Sequence, residues 1–246
     1  MTTPDPVQEV YHRIGIHCGS EFFEDDSTRD DYHFMSSHVA IRNRFSEQGR
    51  GAPTDAHPSK VQKIGVRKVN HHQRLPYGST EMRQDPDGCE ILTSILSPVS
   101  EYLNTQLKQL LPVEHGVLTD YVESLPLAME SPAYPFLGFA LNLCVATSAH
   151  KDRNDKAICA VVPFGEWTGG ELCLYELGLV FDVKPGDIIM FPSDKVTHFN
   201  LDFIGKRGSF ALQSDVRMDD WLLYRNHWDH NIVRHTYDDP ASQAST

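Results

Sequence analysis

His150-Lys151-Asp152 places an imidazole and a carboxylate two residues apart at the end of an apolar stretch. In an extended segment, residues i and i+2 project to the same side, so both side chains reach one metal ion. A third ligand must come from elsewhere. His198 qualifies, because it opens another segment of strand character 46 positions after Asp152. Two histidines and one carboxylate on one face of an octahedral ion leave three adjacent positions open, the arrangement of non-haem iron(II) oxygenases. Those positions matter because a bidentate 2-oxo acid and dioxygen must bind together. Arg207 follows His198 by nine residues, and Ser209 stands two further on. A turn at 204–206 would return the chain as an antiparallel strand and aim Arg207 into a barrel from beside the metal strand. A guanidinium there grips the distal carboxylate of 2-oxoglutarate with two parallel hydrogen bonds, and the Ser209 hydroxyl adds one more. A zinc hydrolase or a cupin-type binding protein would use the same metal ligands but gives Arg207-x-Ser209 no role.

The elements that must position these groups are strands. From Phe136 onward the apolar period is two: Leu141, Leu143 and Val145 alternate with Asn142, Cys144 and Ala146. Further short segments follow at 157–164, 172–175, 179–183, 187–191, 198–203 and 209–215, separated by Gly169-Gly170, Pro185-Gly186-Asp187 and the glycines at 205 and 208. Many short strands at regular spacing predict an all-β sandwich or barrel. Before them, Ile91, Leu92, Ile95, Leu96, Val99, Leu103 and Leu107 recur at helical spacing, with Pro98 as a kink or a second start and Pro112 as a stop. Residues 218–228 read as a closing helix. The first eighty residues are polar and show little periodicity.

The chain therefore divides into a polar N-terminal extension, 1–84, packing partly on the core; an oxygenase domain, 85–237; and a disordered tail, 238–246. Its 246 residues and 40% apolar content suffice for one large domain with an irregular extension. No apolar run reaches the roughly 18 residues of a membrane helix, and no secretory signal is visible. Cys18, Cys89, Cys144, Cys159 and Cys173 are odd in number and scattered, as expected of reduced thiols in a nuclear or cytoplasmic protein that is not secreted. The net charge of −12 is not the usual footprint of a nucleic-acid binder. Yet 42–74 holds eight basic residues and two acidic ones, a stretch that either faces phosphates or is a solvated loop.

The stretch from Phe136 to Arg217, with LNLCVATSAHKDRND, VPFGEWTGGELCLYE, VKPGDIIMFPSDKVTHFN and GKRGSF, resembles the TET/JBP nucleobase dioxygenases, closest to their compact fungal branch. The likeness extends back through VAIRNRFSEQGRGAPTDAHPSK and YGSTEM and forward through Met218-Asp219-Asp220-Trp221. The resemblance implies a mainly β protein with flanking helices around a double-stranded β-helix, a distorted jelly-roll core. It implies iron(II) on His150, Asp152 and His198, and 2-oxoglutarate on Arg207 and Ser209, with Asn142 as a further contact and O2 as cosubstrate. It also implies oxidation of the methyl group of a base in DNA, typically 5-methylcytosine or thymine and in some members N6-methyladenine, as in DNA demethylation.

Where the animal members place a base-contacting Asn three residues after the aspartate ligand, this chain has Asp155. An ionised carboxylate accepts hydrogen bonds only, so it suits the exocyclic amine of cytosine or adenine and opposes the O4 of thymine. The other reading of Asp155 is a turn cap beside Asn154. The cysteine-rich zinc insert and the CXXC-type module of the animal members are missing. A base in a duplex must be flipped out to reach a barrel mouth. Tyr77, His71, His72, Phe199 and Trp167 are candidates to stack on it, and Arg42 or Arg44 to hold the inner carboxylate of the oxo acid. The alternatives are an oxygenase acting on RNA, a free nucleoside or a small metabolite, and a non-catalytic metal-binding jelly roll.

Overall fold

The structure, a computed structural model, describes residues 12–14, 16, 35–43, 75–126 and 129–226. Among the described residues, nine strands form two antiparallel sheets. They are β1 Met35–Arg42, β2 Tyr77–Gly78, β3 Gly138–Leu143, β4 Cys159–Gly169, β5 Leu172–Leu174, β6 Leu179–Phe181, β7 Ile189–Phe191, β8 His198–Asn200 and β9 Phe203–Gln213. The larger sheet runs β2-β1-β3-β9-β4-β7 and the smaller β6-β5-β8. A lone bridge between His150 and His198 adds one more short extended segment beside β8. From β3 onward the chain thus moves between the two sheets, and the strand order is that of a double-stranded β-helix.

The two faces of the larger sheet have different jobs, set by the period of two. One face carries Val39, Phe139, Leu141, Leu143, Ala160, Val162, Phe164, Phe210 and Leu212, all buried. These pack against a long helix, α2 Pro86–Leu110, through its Leu92, Ile95, Leu96, Val99, Leu103 and Leu107. Each such leucine or phenylalanine contributes roughly 1.5–3 kcal/mol by leaving water. The opposite face looks toward the smaller sheet and lines a cavity.

Asp85 caps α2 by accepting from the Gly88 amide at 3.0 Å, and Pro86 occupies the first turn, where its missing N–H costs nothing. The helix runs unbroken through Pro98. Short helix α1 Thr80–Gln84 precedes it, and α4 Met218–Tyr224 closes the fold, ending at Arg225 in left-handed conformation. Trp221 of α4 is buried, and its indole N–H donates to the Ser124 carbonyl.

Three features depart from expectation. Pro112 does more than stop α2: it opens a further helix, α3 Pro112–Glu123. That helix buries only Leu118, Thr119 and Tyr121, too few for a clear apolar stripe in the sequence. Within the polar first eighty residues, β1 is an internal strand of the larger sheet, paired with β3 from Met35↔Leu143 to Ala40↔Gly138. Its inward residues Ser36 and His38 are polar because they border the cavity, which hid the alternation. Finally, no turn forms at 204–206. The chain turns earlier, at Leu201-Asp202, and leaves β8 for the other sheet, where β9 pairs with β3 and β4. Gly205 stands at φ +114° inside β9, opposite Trp167, so it bends a strand that a reversal was expected to end.

Residues 44–74, which carry nearly all of the basic stretch, lie outside the described residues, as do Cys18, His71, His72 and the tail. Among the described residues no helix is long and apolar enough to cross a membrane.

Candidate active site

A cavity of about 600 Å³ lies between the sheets. His150, Asp152, His198, Arg207, Ser209, Asn142 and Asp155 all line it. The ligand atoms of His150, Asp152 and His198 fall within 4.8 Å of one another. His198 Nε2 is 3.4 Å from Asp152 Oδ2, and His150 Nε2 is 3.7 Å from Asp152 Oδ1. The other nitrogen of each ring faces a backbone carbonyl: His150 Nδ1 that of Ser148 at 2.7 Å, His198 Nδ1 that of Val196 at 3.0 Å. A carbonyl only accepts, so each Nδ1 carries the proton and each Nε2 offers a lone pair toward Asp152. Such outer bonds fix the tautomer and the ring plane of metal-bound histidines. Burial depresses the basicity of His198, but once the ring is protonated Nε2–H donates to Asp152, and that bond, the Val196 carbonyl and the charges of Asp152 and Asp155 outweigh burial and raise the pKa. Three donors clustered on one side, with open cavity on the other, suit iron(II).

Arg207 sits at another wall. It is 5% exposed, and among the described residues no carboxylate pairs with it. One Nη donates to the Val145 carbonyl at 3.2 Å, while Nε is buried with no hydrogen-bond partner. The rings of Trp167 and Phe203 lie 5.5 and 5.6 Å from the guanidinium carbon. Burial lowers its pKa to about 10, still charged at neutral pH. A desolvated cation left without an anion is costly, so the site fits a carboxylate ligand. The strand opposite makes room: Gly165 pairs with Arg207 at φ +115°, and a Cβ there would stand 2.2 Å from the Lys206 carbonyl oxygen. Ser209 and Asn142 stand directly opposite each other on β9 and β3, on the same inward face as Arg207. The Asn142 Oδ1 accepts from Ser36 of β1 at 2.8 Å. The donor set and the buried cation together fit an oxidoreductase using iron(II), 2-oxoglutarate and O2.

Asp155 is 7% exposed, and its carboxylate is held by the fold. Ser193 Oγ donates to it at 2.7 Å. With the amide nitrogen of Gln213 turned inward, Gln213 donates to both oxygens at 3.2 and 3.3 Å. The Asp155 amide closes a turn onto the Asp152 carbonyl at 2.8 Å.

Several residues of the site carry little signal in the sequence. Ser193, fully buried, takes the Asp152 amide on its carbonyl at 3.0 Å while its hydroxyl holds Asp155. Gln213 and His38 line the cavity. Glu176 grips the residues flanking the metal ligands. Only the inward alternation along β9, 207-209-211-213, could have flagged Gln213. Of the expected stacking residues, the three that are described are not in the cavity wall: Phe199 lies one residue out of phase with His198, Trp167 covers Arg207, and Tyr77 sits under Arg83 at the far edge. Arg42 is likewise absent from the wall, four residues along β1 from His38.

No family model matches the chain, and no curated protein matches it. Solved structures similar to it include three of low identity. NgTET1 in complex with 5mC DNA is similar over 89% of this chain and 92% of its own, at 14% identity and a TM-score of 0.49. OsALKBH1 is similar over 87% and 92%, at 12% identity and TM-score 0.40. An oxidoreductase of the 2OG-Fe(II) oxygenase family from Burkholderia pseudomallei is similar over 83% and 78%, at 12% identity and TM-score 0.36. The fold assignment rests on strand order and register, independently of these likenesses.

Proposed function

We propose that the protein is an iron(II)- and 2-oxoglutarate-dependent dioxygenase that oxidises the methyl group of a modified nucleobase, 5-methylcytosine or N6-methyladenine, flipped out of DNA into the cavity. The observation that carries the oxygenase reading is one cavity holding both the His150, Asp152, His198 cluster and a buried Arg207 with no carboxylate partner among the described residues. When bound, iron and the oxo acid supply oxidative decarboxylation to succinate and carbon dioxide, coupled to hydroxylation of a C–H bond. The chain supplies the rest. Arg207, with Ser209 and Asn142, orients the oxo acid; His150, Asp152 and His198 present three ligands on one side; Ala140, Val161 and Ala211 keep the floor of the cavity low.

The nucleobase reading rests on the TET/JBP-like motifs and on Asp155. Asp155 lines the same cavity, and a carboxylate accepts hydrogen bonds only, which suits an exocyclic amine. The net charge of −12 favours a second reading, a free nucleoside or small metabolite in the same cavity. Incubation with methylated duplex DNA, methylated RNA and free methylated nucleosides, followed by mass spectrometry of the bases, tests both. Oxidised base in DNA supports the first reading; oxidation of the free compound alone establishes the second.

A further inference from the structure

We propose that Glu176 is a positioning residue that sets the spacing of the three metal ligands by gripping the residues beside them; this rests on the metal reading of His150, Asp152 and His198. Glu176 lies in the turn Tyr175–Leu177 after β5, far in sequence from all three. Its Oε2 accepts from the Thr197 amide at 2.6 Å, and its Oε1 from the Thr197 hydroxyl at 2.7 Å. The same Oε1 lies 2.7 Å from Lys151 Nζ. Lys151 separates His150 from Asp152, and Thr197 precedes His198, so one carboxylate touches a neighbour of every ligand.

The need for such a clamp follows from the local ladder. The segments carrying His150 and His198 meet in a single bridge, with bonds of 3.1 Å from the His150 amide and 2.9 Å from the His198 amide. One bridge leaves two strands free to splay on either side, unlike a long ladder. Glu176 ties them again, one residue beyond. The tie is firmer than an ordinary surface ion pair, whose worth is small because both side chains must be ordered. Lys151 Nζ also donates to the Lys195 carbonyl at 2.7 Å, and the Thr197 amide is fixed backbone, so little freedom remains to lose. The Tyr175 amide donates to the Thr197 carbonyl at 2.9 Å, which holds the turn itself in register.

The test uses the full chain stripped of metal, with Mn(II) binding read by calorimetry and Co(II) binding by its absorption bands. Glu176→Ala should raise the Mn(II) Kd roughly tenfold or more, the scale for losing an outer partner of a metal ligand. Glu176→Gln should raise it less, because its amide oxygen still accepts from Thr197. At saturating Co(II), the bands of Glu176→Ala should be displaced, since they report ligand geometry, which a merely stabilising residue would leave unmoved. A Kd within twofold of wild type, or coincident Co(II) bands, overturns the proposal. Should Glu176→Ala not fold, the double variant Lys151→Met with Thr197→Val removes both partners and is judged by the same limits. A wild-type chain that takes up no Mn(II) overturns the metal reading and this one together; tight wild-type binding with unchanged variants overturns the clamp alone.

Discussion

His198 Nε2 and Asp152 Oδ2 stand 3.4 Å apart across two segments that share only one bridge. Each is oriented by backbone: His198 through the Val196 carbonyl, Asp152 through its amide on the Ser193 carbonyl. Replacing His150, Asp152 or His198 with Ala should abolish turnover, because two remaining ligands hold the metal weakly. The variants should keep wild-type circular dichroism, since the packed layer lies between the larger sheet and α2, away from the cavity. Full activity of any one variant under limiting iron would remove that residue from the ligand set.

Arg207→Ala should weaken 2-oxoglutarate binding by about 2–4 kcal/mol, the scale for removing one partner of a desolvated charge pair. Metal affinity should change little, because the guanidinium bonds only the Val145 carbonyl and touches no ligand. Calorimetry with the oxo acid checks this. An unaltered affinity would place the anchoring cation elsewhere.

Asp155→Asn should act twice. The amide would turn one N–H₂ toward Ser193 or Gln213, both of which already donate there, and leave a buried donor poorly matched. Stability measured by urea unfolding should fall by about 1–3 kcal/mol. If the same group faces the flipped base, the ratio of bases oxidised by the folded variant should shift as well. A stability change with an unaltered ratio assigns Asp155 to the scaffold alone.

The four described cysteines should resist alkylation in the folded protein. Cys89, Cys144, Cys159 and Cys173 are all buried. Burial pushes the Cys159 thiol up to about 12, so almost no thiolate exists at pH 8. Mass spectrometry after brief iodoacetamide treatment should find these four unmodified until denaturant is added. Rapid modification of Cys159 in native buffer would show that the cavity wall opens.

What could be read in advance follows from how local each signal is. The strands of the cavity wall were legible because alternation along β3, β4 and β9 is a property of neighbouring residues. The His-x-Asp pair was legible because i and i+2 share a side in extended chain. Arg207 lies in the wall although no turn forms at 204–206: inward parity along β9 decides its direction, not the distance from His198. β1 escaped notice because its inward residues, Ser36 and His38, are polar like a loop. Ser193, Gln213 and Glu176 escaped for another reason. Each acts on groups 21 or more residues away, through contacts that only the closed fold creates.

The division of labour between the two faces of the larger sheet bears on how such a chain can change. Ala140, Val161 and Ala211 shape the cavity floor, yet none of the three belongs to the helix-backed layer that holds the fold together. Selectivity and foldability are written on alternate residues of the same strands. A lineage, or a protein engineer, can therefore revise Ala140, Val161 and Ala211 while leaving the helix-backed text unedited.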